Sequence, residues 1–232
     1  MSVPQLPLAL RYPPDQRLEN FIAAPQGVIE QLRQLAGVPG SGWLYLAGAS
    51  GTGKSHLAIA LCAAAEQSGH SSAYLPMAAA AGRLEQALQS IEQSDVVALD
   101  GLEAIAGNRA DEVALFDFHN RARNTGLNLL YVARDIPKVL ELVLPDLRSR
   151  LAQCSQVLLQ PLDDAARAEV LRERAQRRGL AMDQAALDWL LVHADRNLVS
   201  LTALLERLDR ESLAAQRRVT VPFLRSLLDN AP

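Results

Sequence analysis

Five short stretches of the chain are almost continuously apolar: 42–47, 72–76, 95–100, 128–133 and 156–160. None shows the strict alternation of a strand with one wet face. Each is short, which predicts strands covered on both sides. Between them apolar positions recur at helical spacing, and helices are expected at about 54–68, 83–93, 111–125 and 137–151. Strand and helix in alternation imply parallel strands joined by right-handed crossovers, an α/β sandwich with a five-stranded parallel sheet.

The pattern changes after Pro161. From Asp163 to Pro232 it predicts helices only. Asp163 or Asp164 caps a helix that runs to Arg178 and stops at Gly179. A second helix starts near Asp183. A third carries Leu201, Leu204, Leu205 and Leu208 at i, i+3, i+4, i+7. Pro222 suits the first turn of a last short helix. The expected organisation is an extended tail over 1–15, an α/β nucleotide-binding domain over 16–161, and a small all-α lid over 162–232.

Composition narrows this picture without redrawing it. The 232 residues are 49% apolar, enough for a sizeable core, but only 4% aromatic, so Leu, Ala and Val must fill it. The formal net charge of −3 lacks the basic excess of a direct DNA binder. Cys62 and Cys154 stand far apart with no CxxC or Cys/His cluster, so they read as free buried thiols rather than zinc ligands. The first residues lack the basic and apolar regions of a leader, and no run of about 18 apolar residues occurs. A soluble, cytoplasmic protein without a membrane partner is expected.

Between the first strand and the helix after it lies GASGTGKS, residues 48–55. Gly48, Gly53, Lys54 and Ser55 satisfy G-x-x-x-x-G-K-[ST], with Ala49, Ser50, Gly51 and Thr52 completing the loop. Glycines let the backbone wrap around phosphate without a Cβ in the way. The helix behind it offers unpaired amides and a positive dipole end. Lys54 is expected on the outer phosphates and the Ser55 hydroxyl on Mg2+, with ADP or ATP as the ligand. Asp100, at the end of the apolar run Val96–Leu99, is the acid expected to hold the metal. The next position, where many P-loop ATPases carry an acid that orients water, is Gly101. Glu103 follows two residues later, with its direction undetermined.

These stretches, together with LDGLEAIAG at 99–107, FDFHNRARNTG at 116–126, LPDLRSRL at 144–151 and LDRESLAAQRRVTVPFLRSLL at 208–228, carry a resemblance over nearly the whole chain. It resembles the AAA+ branch of P-loop proteins and, within it, the Hda family of regulators related to the replication initiator DnaA. In that family no DNA-reading domain follows the lid, and none is expected here.

The resemblance implies several roles. Arg150, in Ser149-Arg150-Leu151, matches the family's arginine finger, which acts in trans on a neighbour's nucleotide. Read by itself, Arg150 could also be a surface arginine paired with Asp146 or with solvent. The first sensor usually reads Asp-Arg before proline. This chain has Arg134-Asp135-Ile136-Pro137. The second sensor, an arginine in relatives, aligns with Val199, which cannot touch a phosphate; Arg196 lies one turn earlier. Phe21 and Ile22 match a stretch that lines the adenine pocket in AAA+ relatives, with core packing as the other reading. With two phosphate-reading groups missing and one altered, nucleotide binding with weak intrinsic hydrolysis is expected.

Gln5, Leu6, Leu8 and Leu10 resemble the family's peptide for the DNA polymerase sliding clamp, although Pro7 departs from it. The alternative is that these leucines pack back on the core. His56, His119 and His193 read as packing or surface residues. Arg172, Arg174, Arg177 and Arg178, interleaved with Glu169 and Glu173, read as a solvated face with i, i+4 pairs.

The function implied is negative regulation of replication initiation: clamp-tethered stimulation of ATP hydrolysis by DnaA, with DNA reached only through partners and a homodimer left open. Two rivals remain, an ATP-cycling helicase loader and an adaptor that leaves hydrolysis unchanged.

Overall fold

The computed structural model describes residues 16–193, 198–215 and 218–229. The tail residues Gln5, Leu6, Leu8 and Leu10 and the lid residue Arg196 lie outside the described residues. Five parallel strands form the sheet: β1 (Trp43–Gly48), β2 (Ser72–Pro76), β3 (Val96–Asp100), β4 (Asn128–Ala133) and β5 (Ser155–Leu159), in spatial order β2-β3-β4-β1-β5. All expected strands are present within a residue or two. The doubly covered sheet explains the missing alternation: both faces of each central strand are dry.

Side-chain period 2 divides those faces cleanly. Tyr45 and Ala47 of β1, Val97 and Leu99 of β3, and Leu129 and Tyr131 of β4 point to one side. There they meet α3 (Met77–Ala80), α4 (Leu84–Ile91), α5 (Arg109–Thr125) and α6 (Pro145–Ala152). Leu44, Leu46, Val96, Ala98, Leu130 and Val132 point to the other. They pack on α1 (Val28–Gly37) and α2 (Lys54–Gln67).

The helix expected over 137–151 is shorter than the pattern suggested: α6 begins at Pro145. Proline has no N–H to donate and disfavours helical backbone at the residue before it. Leu144 accordingly sits at φ −94°, ψ 103° and serves as the N-cap. The stretch before it, with Leu140 and Leu142, still packs on the core, as irregular backbone. In the other direction, α5 begins at Arg109 because the Asn108 side chain accepts from the Ala110 and Asp111 amides. α1 carries an apolar stripe of Val28, Leu32, Leu35 and Ala36 and belongs to no helix expected from the sequence.

Beyond β5 come α7 (Asp164–Arg177), α8 (Gln184–His193), α9 (Leu198–Ala215) and α10 (Val221–Asp229). Asp163 caps α7 by accepting from the Ala166 amide. Leu171, Leu190, Leu201, Leu205, Leu208 and Leu224 form a core separate from those of the sheet. One parallel bridge, Met182 to Val219, interrupts the all-helical expectation. Cys62 is a buried free thiol and Cys154 a half-buried one. No helix among the described residues is long and apolar enough to cross a membrane.

Candidate functional site

The loop from β1 to α2 sits at the C-terminal edge of the sheet, where ligands of open parallel sheets bind. A Cβ on Gly48 would lie 2.6 Å from the Leu159 carbonyl and 2.9 Å from the Thr52 hydroxyl, so only glycine lets β5 close on the start of the loop. Buried Thr52 donates to the Ala49 carbonyl at 2.9 Å, which pins the loop's curve. Gly53 caps α2 in a left-handed conformation and brings no side-chain acceptor. The first amides of α2 are thus left to an anion.

Lys54 Nζ donates to the Gly48 and Ala49 carbonyls at 2.6 and 2.8 Å. Burial lowers its pKa, against the pull of Glu103 and Asp100, while Arg134 reinforces the lowering. Lys54, Ser55, Asp100, Glu103 and Arg134 share one cleft of about 450 Å3 with Ser50 and Gly51. Asp100 accepts from the Tyr74 hydroxyl at 2.7 Å, and Ser55 also reaches that hydroxyl. A carboxylate and a hydroxyl beside an amide-lined phosphate cradle form an oxygen-only donor set, which suits Mg2+. The metal would neutralise charge on the outer phosphates.

Glu103 faces this cleft. Gly101 adopts a left-handed conformation and a short 3-10 turn, Leu102–Ala104, follows. That turn aims Glu103 back at the sheet edge, where its Oε2 accepts from the Arg134 amide at 3.1 Å. In the first-sensor stretch, Arg134 lines both the phosphate cleft and a neighbouring hollow, and Asp135 lines that hollow with Gly48, Ala49 and Ser50 of the loop.

A narrower pocket adjoins the loop. Phe21, Ile22, Thr52, Gly53 and His56 line it from the α/β domain, and Val170, Glu173, Arg174 and Arg177 from α7. A Cβ on Gly53 would lie 2.5 Å from Phe21 Cε2, so the ring covers the loop directly. Phe21 also packs on the core behind α2, as its other reading expected. His56 Nε2 lies 3.1 Å from the Arg17 carbonyl, and its ring stands edge-on to Phe21 at 5.5 Å. The reading of α7 as a solvated face needs correction at two positions. Arg177–Glu173 pairs at i, i+4 as expected, and Arg172–Glu169 pairs at i, i+3. Arg174 nonetheless lines both pockets and Arg177 the narrower one. Positions 170, 173, 174 and 177 form an i, i+3, i+4, i+7 stripe, a signal available in the sequence. Val199 belongs to α9, but its side chain is not among those described.

Arg150 lies elsewhere. It is half-buried in the last turn of α6 and lines a cavity of about 350 Å3 with Gly42, Trp43 and Ser155, at the N-terminal ends of β1 and β5. β1 is six residues long, so five rises of about 3.3 Å, roughly 17 Å, separate this cavity from the phosphate loop. No described carboxylate pairs with Arg150; the pairing with Asp146 does not form. Buried Glu112 fixes the start of α6 by accepting from the Val143 and Leu144 amides at 3.0 and 2.7 Å, and from the Gly107 amide at 2.8 Å. Nothing in the one-dimensional pattern distinguishes Glu112 from a solvent-facing helical acid.

Comparison with known proteins agrees with this architecture. Residues 11–132 match the family of IstB-like ATP binding proteins. Residues 164–228 match the lid domain of Hda. Domain III of Thermotoga maritima DnaA superposes with a TM-score of 0.80 at 20% identity, covering 94% of this chain and 98% of that one. AMPPCP-bound DnaA from Aquifex aeolicus gives 0.70 at 21% identity, covering 85% of this chain and 66% of that one. The Thermotoga maritima RuvB branch migration motor gives 0.67 at 17% identity, over 94% and 72%. This chain thus spans just under two thirds of the length of the AMPPCP-bound DnaA. At these identities the likeness establishes the fold, AAA+ with a helical lid.

Proposed function

The chain belongs to the IstB-like ATP-binding AAA+ proteins and carries the lid of Hda, and from that premise we propose that it is a DnaA-related regulator that binds ADP or ATP and promotes hydrolysis on another molecule. The partner is the DnaA initiator in its ATP form. Arg150 completes the partner's hydrolysis site and converts it to the ADP form, which restrains initiation. The carrying observation is the position of Arg150. It lies half-exposed at the sheet edge opposite its own phosphate loop, with no described carboxylate to neutralise it. An arginine there cannot serve its own nucleotide. A planar, permanently charged fork suits the phosphates of a neighbour's.

The chain's own nucleotide acts as a conformational ligand. The phosphate loop, Phe21 and α7 line two adjoining pockets, so a nucleotide held there would set the geometry between the α/β domain and the lid. Intrinsic turnover is slow: Gly101 brings no side chain, and one oxygen of Glu103 is already held by the Arg134 amide. Ser55 and Asp100 would hold Mg2+. The segment with Gln5, Leu6, Leu8 and Leu10 docks on the sliding clamp as an extended peptide, apolar residues in a pocket and Gln5 supplying hydrogen bonds.

The test is ATP hydrolysis in a reconstituted mixture of DnaA, clamp and DNA. The wild-type chain accelerates it and Arg150→Ala does not, a loss on the order of 10³-fold. Failure of the wild-type chain to accelerate hydrolysis leaves the adaptor reading, and wild-type stimulation by Arg150→Ala removes Arg150 from the account. Rapid steady-state turnover by the isolated chain, abolished by Lys54→Ala, selects the ATP-cycling loader instead. Clamp binding as tight by Gln5→Ala/Leu6→Ala as by wild type removes the tail from the account.

A further inference from the structure

The cavity that holds Arg150 contains a second guanidinium with no assigned role. Arg123 projects from the last turn of α5 and lines the same space, which also includes Trp43, His119 and Gln153. No lining residue is acidic. Arg123 is exposed, and no described carboxylate pairs with it. Its neighbour Arg121, which an i, i+2 step turns to another face of the helix, has its charge engaged by Glu92. Of these two arginines, then, one is neutralised locally and the other is left facing the cavity.

The floor of the cavity is neutral and rigid. His119 is only 2% exposed, with its Nδ1 3.0 Å from the Tyr131 hydroxyl and its ring packed edge-on against Trp43 at 4.3 Å. Its pKa falls to about 4, first through burial and then through Arg150 and Arg123. Both guanidinium charges are therefore felt at one imidazole. Two unneutralised cations above a neutral aromatic floor make a receptor for a compact polyanion.

We propose that Arg123 is a second trans-acting guanidinium, delivered with Arg150 to the nucleoside triphosphate held by the partner. This rests on the role given to Arg150. The occupant is a polyphosphate rather than a nucleic-acid strand. The charges converge in one cavity of about 350 Å3, whereas a strand needs cations spread along a groove. Each guanidinium presents its donors as a rigid fork, so the pair can hold separate phosphate oxygens as charge redistributes during cleavage.

The experiment measures the partner's ATP hydrolysis in the reconstituted mixture across a titration of Arg123→Ala, Arg123→Lys, Arg121→Ala and Arg150→Ala. Arg123→Ala lowers the rate at saturating chain by about 10- to 100-fold, the scale of one charge-assisted contact. The half-saturating concentration and Tm stay near wild type, Arg123→Lys recovers part of the rate, and Arg121→Ala changes little. If Arg150→Ala is inactive while Arg123→Ala saturates at the wild-type rate, the second guanidinium is refuted and the Arg150 role stands. A change in half-saturation alone makes Arg123 a docking contact and also refutes it. Wild-type rates from both variants remove the Arg150 role as well. Labelled oligo-dT bound by the chain alone and lost with Arg123→Ala, at unchanged hydrolysis, assigns the cavity to single-stranded DNA and overturns the proposal.

Discussion

The two edges of one sheet are chemically opposite. At the C-terminal edge three charged groups have partners: Lys54 holds two loop carbonyls, Asp100 takes the Tyr74 hydroxyl, and Glu103 takes the Arg134 amide. At the N-terminal edge, Arg150 and Arg123 share a cavity without an acid. Parallel strands place all their C-terminal ends on one side, so a P-loop protein has its own ligand site there and a free edge behind it. The contrast suggests that the first edge is organised to hold a ligand and the second to donate charge to someone else's.

The largest effect on that contrast comes from Glu112, which anchors the helix that carries Arg150. Glu112→Ala leaves the Gly107, Val143 and Leu144 amides without their acceptor. A loss of about 3 kcal/mol is expected, roughly 6–12 °C in Tm by calorimetry. Lys54→Ala acts on the opposite edge alone. It weakens ADP and ATP about 10- to 100-fold by titration calorimetry, while the α6 edge keeps its structure by NMR. Phe21→Ala is smaller, about 2- to 10-fold in nucleotide affinity, with Phe21→Trp near wild type.

A pH dependence is expected at the N-terminal edge as well. His119 titrates near 4 when folded against 6.5 when unfolded. Between these values the unfolded chain binds more protons, so acidification favours unfolding. The stabilising contribution is complete above 6.5 and is lost as pH falls toward 4. In His119→Gln, Tm declines less steeply over that window, whatever its absolute value. Equal slopes would detach His119 from the edge's electrostatics.

Much of this was legible in the sequence. Continuous apolar runs gave the five strands, because burial on both faces leaves no polar position to disguise them. GASGTGKS and Asp100 located the cleft at the C-terminal edge. The helix at 137–144 was misread because apolar spacing alone does not register that Pro145 resets the chain. The stripe that carries Arg174 was there to be read, but Glu103 joins the cleft through a left-handed glycine, a product of three-dimensional packing. Arg123 was hidden for the same reason: α5 and α6 bring it beside Arg150 across 27 positions of sequence.

The most direct measurement asks which molecule loses its γ-phosphate. DnaA is loaded with γ-labelled ATP and this chain with unlabelled ADP, then both are mixed with clamp and DNA. Release of labelled phosphate with the wild-type chain, and none above background with Arg150→Ala, is the predicted result. Equal release with either chain, or release only when the label starts on this chain, contradicts the claim that it lends an arginine and keeps its own nucleotide.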